Sequence, residues 1–194
     1  MIRPSVNQLI FENASNYTAL SSFTSEANLL AGQSGERPAF PPLYFNMVQR
    51  RTFRVLARGI VGSTGTPTFT ITIRLGTSTT WATTDSQIGI TQAITTASGI
   101  SNKWWELNFQ MTCTIQGLGS NNMTLSGSGS IRSPGGFASP FEYAIEPTAP
   151  DTATWTVANT DGALVQYLGL SATCSVSDAS NTIQVKQLYC YGEN

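Results

Sequence analysis

Apolar and polar residues alternate in two runs between Arg51 and Leu75. From Phe69 onward every second residue is large and apolar, and threonine or arginine stands between them. Successive side chains of a strand point to opposite faces, so this pattern predicts a β-strand with one face on a core and the other in solvent. The residues from Phe53 to Val61 alternate less strictly. Because a glycine-containing loop from Gly62 to Pro67 separates the two runs, the pattern predicts an antiparallel hairpin.

A longer alternating run begins at Trp105 and continues to Gln116, a stretch of twelve residues in strict alternation. A turn rich in glycine and asparagine follows, and the residues from Met123 to Arg132 alternate again with small side chains. Two long alternating segments on either side of such a turn predict a second hairpin. Cys113 falls on the apolar side of the first segment, which predicts a buried structural thiol.

The C-terminal region contains a last pair of predicted strands, one from Ala163 to Val176 and one from Thr182 to Tyr191. In the second of these strands the apolar positions shift by one residue after Val185. An extra residue in one strand of a pair produces such a shift, so the pattern predicts a β-bulge near Lys186.

Shorter and weaker patterns fill the rest of the chain. Residues 1–17 are mixed and polar, and we expect an N-terminal arm or an irregular lead-in there. The residues from Tyr17 to Gly32 fit one or two short strands, although their TSEANLLAG segment also has a weak helical pattern. One or two short strands are expected between Thr77 and Gly99, and another between Thr152 and Val157.

These patterns predict eight to ten strands, several of them long, with turns between them and no strong helix. A chain of this kind is typical of an all-β fold, here a jelly-roll-like antiparallel β-sandwich or barrel. We expect residues 18–194 to form a single β-sandwich domain after the arm of residues 1–17. The chain has no internal repeat of fixed period, which argues against a propeller or a solenoid.

Charged residues are scarce in this chain, and this scarcity restricts the kinds of partner that we expect it to bind. Charged residues make up 11% of the 194 positions and the net charge is −1, whereas about a quarter of a globular domain is usually charged. Such a balance lacks the basic surface that a phosphate backbone requires, so nucleic acid is not an expected partner. Four arginines cluster at Arg50, Arg51, Arg54 and Arg58. We interpret them as a solvated strand edge or a subunit contact.

The chain carries no sign of a membrane partner or of secretion. No segment approaches the ~18 apolar residues of a membrane span, and the N-terminal MIRPSVNQLI lacks the apolar core of a signal peptide. The three cysteines are an odd number without a CxxC pair, so they predict neither a disulfide framework nor a zinc site. Synthesis in a reducing cytoplasm is therefore expected.

The residue inventory argues against an enzyme. The chain has no histidine, so a Ser-His-Asp or Cys-His arrangement and a histidine-based metal site are excluded. Glu142 and Glu146 would lie about 13 Å apart on one strand, which is too far for a glycosidase pair within that strand. Asp151, Asp161 and Asp178 lie in predicted turns without a calcium-loop spacing. We expect no catalytic residue, no cofactor and no metal site.

Aromatic residues are the remaining candidates for a binding role. Trp104 is predicted to point outward beside the inward Trp105, and Trp81 lies in a loop-rich region. An outward tryptophan can stack on a sugar ring or pack into a subunit interface, and the interface is the favoured interpretation. The candidate interface or ligand-stacking residues are therefore Trp104, Trp81, Arg54 and Arg58.

Three segments resemble the β-rich structural proteins of tailed-phage particles, namely RVLARGIVGSTGTPTFTITIRLG, KWWELNFQMTCTIQGLGS and LGLSATCSVSDASNTIQVKQL. They resemble that family in an R-x-x-A-R-G-x-x-x-x-x-G-T-P hairpin, a W-E-L-x-F strand and an A-S-N-T-I turn. The resemblance covers roughly residues 50–190 of the chain. The N-terminal segment has no counterpart in it.

The resemblance implies a jelly-roll-like virion protein and, within that group, a head decoration (cement) protein. Such a protein is a homotrimer on the outer capsid surface, made in the host bacterial cytoplasm, whose partner is the major capsid protein. The family implies no catalytic residues. The alternative is a receptor- or carbohydrate-binding domain of a head fibre or tail protein, which would use Trp81 or Trp104.

Overall fold

The computed structural model describes residues 8–32, 37–45, 52–115, 123–147, 156–159 and 163–193. Its thirteen β-strands, in chain order, are β1 (Gln8–Asn13), β2 (Ala27–Asn28), β3 (Ala39–Phe40), β4 (Thr52–Ser63), β5 (Thr68–Gly76), β6 (Ser86–Thr91), β7 (Ile94–Thr95), β8 (Ile100–Ile115), β9 (Met123–Arg132), β10 (Glu142–Glu146), β11 (Thr156–Asn159), β12 (Gln166–Cys174) and β13 (Thr182–Glu193). Three of them have two residues and ten have four or more. The predicted all-β antiparallel fold is confirmed, and the ten longer strands match the predicted number.

The strands form two layers that face each other. The front layer has the order β1-β13-β4-β8-β9, and the back layer contains β6, β5 and β12 with the short strands β2, β3 and β7 beside them. Strand β10 pairs with both β9 and β6 and so joins the layers on one side. On the other side Tyr17 N donates to Val185 O and Leu29 N donates to Leu170 O, so residues 17–29 pass from β13 to β12. No helix among the described residues is long and apolar enough to cross a membrane.

The inward side chains of both layers build one apolar core. Phe53 of β4 lies with its ring centroid 4.9 Å from that of Phe40 in β3. A Cβ atom added to Gly89 of β6 would lie 3.0 Å from Cε2 of Phe109 in β8, so these layers touch where glycine leaves space for the ring. Burying each large apolar side chain stabilises the fold by about 1.5–3 kcal/mol, which makes the contact between layers the main favourable term.

Strands β4 and β5 are confirmed, but they do not pair with each other, and the hairpin predicted between Arg51 and Leu75 is wrong. Both edges of β4 are occupied, one by β13 and the other by β8. Strand β5 instead pairs with β12, β6 and β7. The residues from Thr64 to Pro67 carry the chain from the front layer to the back layer, and Ser63 Oγ anchors the crossing by donating to Ala97 O at 2.9 Å.

The second predicted hairpin is confirmed, because β8 and β9 pair from Glu106 and Arg132 to Ile115 and Thr124. The C-terminal strands β12 and β13 are also confirmed, but β12 lies in the back layer and β13 in the front layer. The ladder between β13 and β4 shifts register around Lys186, which confirms the predicted bulge.

The N-terminal region differs from the prediction. Gln8–Asn13 is not an irregular lead-in but a strand on the outer edge of β13, where it satisfies backbone groups of the last strand. Tyr17 is fully buried, and residues 1–7 lie outside the described residues. The weak helical pattern is not realised, since Ala27–Asn28 is a short strand on β12.

The remaining short elements agree in part with the sequence patterns. Strands β6 and β7 confirm the expectation of one or two short strands between Thr77 and Gly99. In β10 Tyr143 and Ile145 are buried, whereas Phe141, which precedes the first residue of this strand, is 52% exposed. Most of the strand predicted from Thr152 to Val157 lies outside the described residues.

Buried ion pairs fasten loops over the outer surface of the back layer. Arg37 pairs with Asp85 at 2.7 Å, their side chains are 4% and 10% exposed, and Arg37 also donates to Tyr167 O at 2.7 Å. Arg74 of β5 donates to both carboxylate oxygens of Glu26 at 2.7 Å. Two charges taken out of water require such partners, so each pair holds its loop in one position. The front layer is consequently the one with an exposed outer face.

Replacing Gly59 should test how closely β13, β4 and β8 pack. A Cβ atom at this buried position would lie 2.6 Å from Cζ2 of Trp105 and would also collide with Gln184 O. We expect Gly59→Ala to lower the free energy of unfolding by about 1–3 kcal/mol, because overpacking displaces neighbouring side chains and backbone. Urea denaturation followed by circular dichroism measures this change.

Gly65→Ala is the matched control, because nothing lies within 4 Å of a Cβ atom added at that loop position. Its free energy of unfolding should stay within about 0.5 kcal/mol of the wild-type value. Equal stability of Gly59→Ala and the wild-type protein would contradict the close packing of these three strands.

The Glu26 ion pair should make stability depend on pH. Burial favours the neutral acid, but hydrogen bonds from Arg74 and Ser171 and the charge of Arg74 hold the pKa of Glu26 below its ordinary value of 4.5. A lowered pKa stabilises the folded protein above the ordinary value, and this stabilisation is lost as the pH falls through the folded pKa. We expect Glu26→Gln to cost about 1–3 kcal/mol at neutral pH and clearly less at the lowest pH at which both proteins still fold.

Glu12→Gln provides the control for that comparison, because it removes the same charge from an exposed position of β1. Its effect on the free energy of unfolding should stay below about 0.5 kcal/mol at either pH. A Glu26→Gln penalty that is the same at both pH values would show that the carboxylate charge contributes nothing.

Candidate binding face

The outward side chains of β13, β4, β8 and β9 form one exposed surface, which we call the open face. Strand register aligns these side chains in rows across the layer. In one row Arg54 lies opposite Gln110, which in turn lies opposite Ser128. Because residues directly opposite each other in an antiparallel pair have Cβ atoms about 5 Å apart, each row is a set of touching neighbours.

The charges of the open face compensate each other. The carboxylate of Glu106 accepts a hydrogen bond from Arg58 Nε at 2.7 Å and another from Arg132 Nη2 at 2.9 Å. Partial burial raises the pKa of Glu106, but these two arginines outweigh it and keep the pKa below its ordinary value. Arg54 lies 3.8 Å from the carboxylate of Glu193. The arginines of this face are therefore already matched by carboxylates of the same chain.

Small residues on β9 make a polar trough in the open face. Ser128 and Ser130 line it beside the longer side chains of Asn108 and Gln110 on β8, and Glu142 of β10 lines the end near Ser130. Gly129, between these serines, faces the core side opposite Phe109, and only its backbone lines the trough. Two adjoining depressions, of about 310 and 220 Å³, share Asn108 and Ser130 among their lining residues.

Aromatic side chains border this surface at two places. The rings of Tyr189 and Tyr191 on β13 lie nearly parallel, with centroids 6.3 Å apart. Trp104 is 51% exposed and lies opposite Ile60 at the other end of the face. Ser133 donates from its backbone N to Phe141 O at 2.9 Å and from its Oγ to Trp104 O, which places the exposed Phe141 at the same end as Trp104.

The candidate residues from the sequence divide between the two layers. Trp104, Arg54 and Arg58 lie on the open face. Of the two settings expected for the arginines, a strand edge is wrong for Arg54 and Arg58, because β4 is paired on both sides, and a subunit contact stays a prediction. Trp81 lies instead against the back layer, where its Cδ1 would be 2.7 Å from a Cβ atom at Gly169. Arg50 and Arg51 lie outside the described residues.

Several residues of the open face were not among the sequence candidates. Tyr189 and Tyr191, Asn108, and the serines of β9 enter it only through strand register. Their outward positions in alternating strands are visible in the sequence, but nothing local indicates that they share one surface.

The described residues contain neither an exposed thiol nor a cluster of metal-ligating side chains. All three thiols are buried, which confirms the prediction for Cys113, and burial raises the pKa of Cys190 far above its ordinary value. Among the described residues no group of three or more histidine, cysteine, aspartate or glutamate side chains could hold a metal ion. The open face presents amides, hydroxyls, paired charges and aromatic rings, which are groups for binding.

Comparison with family models finds no match, and comparison with curated proteins finds none either. Among solved structures, the chain is similar to the CBM2 module of the evolved Dit protein of Lactobacillus casei BL23 phage J-1, with 10% identity, 96% of each chain covered and a TM-score of 0.39. A protein of unknown function from Shewanella oneidensis MR-1 has 9% identity and a TM-score of 0.42, with 96% of this chain and 87% of that chain covered. Lectin I from Ulex europaeus, solved with the methyl glycoside of α-L-fucose, has 9% identity, 98% of each chain covered and a TM-score of 0.38. Because the sequence identities are 9–10% and the TM-scores are below 0.5, these similarities do not indicate what the chain binds.

Removing the carboxylate of Glu106 should show how much its pairing with two arginines contributes to the free energy of unfolding. Glu106→Gln leaves Arg58 and Arg132 without their shared partner. Because both arginine side chains are more than half exposed, we expect a loss of only about 0.2–1 kcal/mol in the free energy of unfolding. In 1 M salt, where the screening length falls to about 3 Å, the loss should become smaller.

Glu12→Gln removes a carboxylate from an exposed position of β1 and serves as the control, since Glu12 forms no ion pair with a described residue. Its free energy of unfolding should be unchanged within error at both salt concentrations. A Glu106→Gln effect that does not respond to salt would argue against electrostatic pairing.

Proposed function

We propose that this chain is a structural protein of a tailed-phage particle, a decoration protein that binds the outside of the capsid as a trimer. The observation that carries the proposal is the end of the open face at Trp104, where three large apolar side chains are exposed or half-buried next to a charge-balanced sheet. The other two side chains are Ile60 and Phe141. The segments that resemble tailed-phage structural proteins support the same assignment.

The chemistry of this end fits a protein partner. Half of the Trp104 side chain is exposed although the rest of its strand alternates between buried and polar positions. Aromatic side chains at the centre of a contact commonly carry much of its binding energy, particularly where they fill a pocket of the partner. Because Arg58 and Arg132 are already paired with Glu106, docking a protein surface here buries neither arginine without a partner.

A decoration protein that binds only the expanded shell stabilises that shell by mass action. A rigid sandwich suits this role, since its two layers share one core and its exposed face cannot deform without disturbing the core. A trimer at a local threefold axis would contact several major capsid subunits at once, and such linked contacts raise the overall affinity above that of any one of them.

The second candidate is a receptor- or carbohydrate-binding domain of a head fibre or tail protein. The polar trough beside the aromatic margin of the open face favours it. The copy number of the chain relative to the major capsid protein, measured by quantitative mass spectrometry of purified particles, separates the two roles. A copy number of the same order supports shell-wide decoration, a few copies support a fibre or tail role, and absence from particles overturns both.

Truncating Trp104 should weaken binding to capsids. We expect Trp104→Ser to lower the affinity for expanded, undecorated heads by about tenfold or more, because it removes the largest exposed apolar group of the face. Co-sedimentation of the purified protein with such heads measures the affinity, and circular dichroism verifies that the variant is folded.

Val176→Ser is the matched control, because Val176 is also 51% exposed but lies in the loop between β12 and β13. It should bind heads like the wild-type protein. Wild-type protein that fails to bind heads, or Trp104→Ser protein that binds as well as wild type, would refute the decoration role proposed for this surface.

A further inference from the structure

The trough in the open face is not explained by a contact at Trp104. Trp104 and Gln110 are six positions apart on β8, which corresponds to about 20 Å along a strand. A partner seated on Trp104 therefore leaves the part of the trough around Gln110 and Ser128 accessible, and a contact at Trp104 does not explain the polar groups there.

The floor and wall of the trough carry hydrogen-bonding groups without protein partners. No side-chain hydrogen bond joins Asn108, Ser128 or Ser130 to another described residue. Amides and hydroxyls both donate and accept hydrogen bonds. A ligand that fits them must offer donors and acceptors close together, as the hydroxyl groups of a sugar ring do.

The charge pattern excludes a strongly charged ligand. Arg58 and Arg132 share Glu106, and Arg54 lies near Glu193, which also accepts from Gln110 Nε2 at 3.2 Å. A phosphate or a polyanion would have to compete with these carboxylates and would be repelled by them. The trough is therefore matched to a neutral polar ligand.

An aromatic margin completes the site. Tyr191 lies directly opposite Arg54, and Arg54 lines the trough. The apolar face of a sugar ring packs on an aromatic ring, while its hydroxyl groups bond to polar neighbours. From Tyr191 on β13 to Ser128 on β9 the site spans three strand spacings, about 14 Å, which suits a short oligosaccharide better than a single sugar.

We propose that the trough of the open face binds a neutral oligosaccharide, such as a segment of a surface polysaccharide. One sugar ring packs on Tyr191, and the following rings lie along Arg54, Asn108 and the serines of β9. The proposal does not require the chain to be a decoration protein, because the trough and the Trp104 end are separate parts of the same face.

The test measures binding of the intact protein to a panel of neutral tetrasaccharides built from glucose, galactose, mannose and N-acetylglucosamine, with uronic-acid tetrasaccharides as the charged comparison. Titration calorimetry measures the affinity, and NMR chemical-shift mapping identifies the strands that the sugar contacts. We expect at least one neutral tetrasaccharide to bind, with shifts in β8, β9 and β13. Tyr191→Ala and the trough-filling Ser128→Leu should each weaken it by about tenfold or more.

Two controls separate this site from the rest of the surface. Ser101→Leu adds the same side chain at an exposed position of β8 away from the trough, and its affinity should stay within about twofold of wild type. Trp104→Ser should also keep sugar binding, even where it abolishes binding to heads. Failure of every neutral tetrasaccharide to bind, unchanged binding in Ser128→Leu, or binding confined to uronic acids would overturn the proposal.

Discussion

The structure depends on the burial of one apolar side of each long strand against a second layer. A strand whose residues alternate has one face that must leave water and two edges whose backbone groups need partners. In the front layer, β13 and β8 pair with the two edges of β4, and the apolar face of β4 packs on the aromatic core. Gly59 lies so close to Trp105 and to β13 that the packing leaves no space for a side chain at this position.

The same constraint makes the two outer surfaces different. Over the back layer, loops descend onto β5 and β12 and bring Arg37, Asp85 and Glu26 into places where their charges are largely removed from water. Over the front layer the outward residues remain exposed and exchange ion pairs along the sheet itself. Ion pairs in the first setting hold a conformation, whereas those in the second chiefly neutralise a surface.

Ion pairing leaves the open face with little net charge, so two different contacts can form at separate parts of it. At one end, Trp104, Ile60 and Phe141 offer apolar surface of the kind that protein partners cover. Further along the strands, the short serine side chains of β9 lower the surface and leave amide and hydroxyl groups in a shallow trough. Trp104, Ile60 and the serines of the trough lie on paired strands, so binding to them does not require a loop to become ordered.

The sequence by itself determined the strands and the faces of their residues. Alternation is local, and it reports which side chains enter a core; the long β8, the buried Cys113 and the bulge at Lys186 were all predictable in this way. Pairing between strands was decided only in the tertiary structure, because any alternating strand can satisfy the edge of any other. Thus the loop after Ser63 looks like a hairpin turn, yet it crosses between layers, since β13 and β8 already occupy both edges of β4. The open face has the same origin: Arg54, Asn108, Ser128 and Tyr191 are distant in the chain and become neighbours only through the register of four strands.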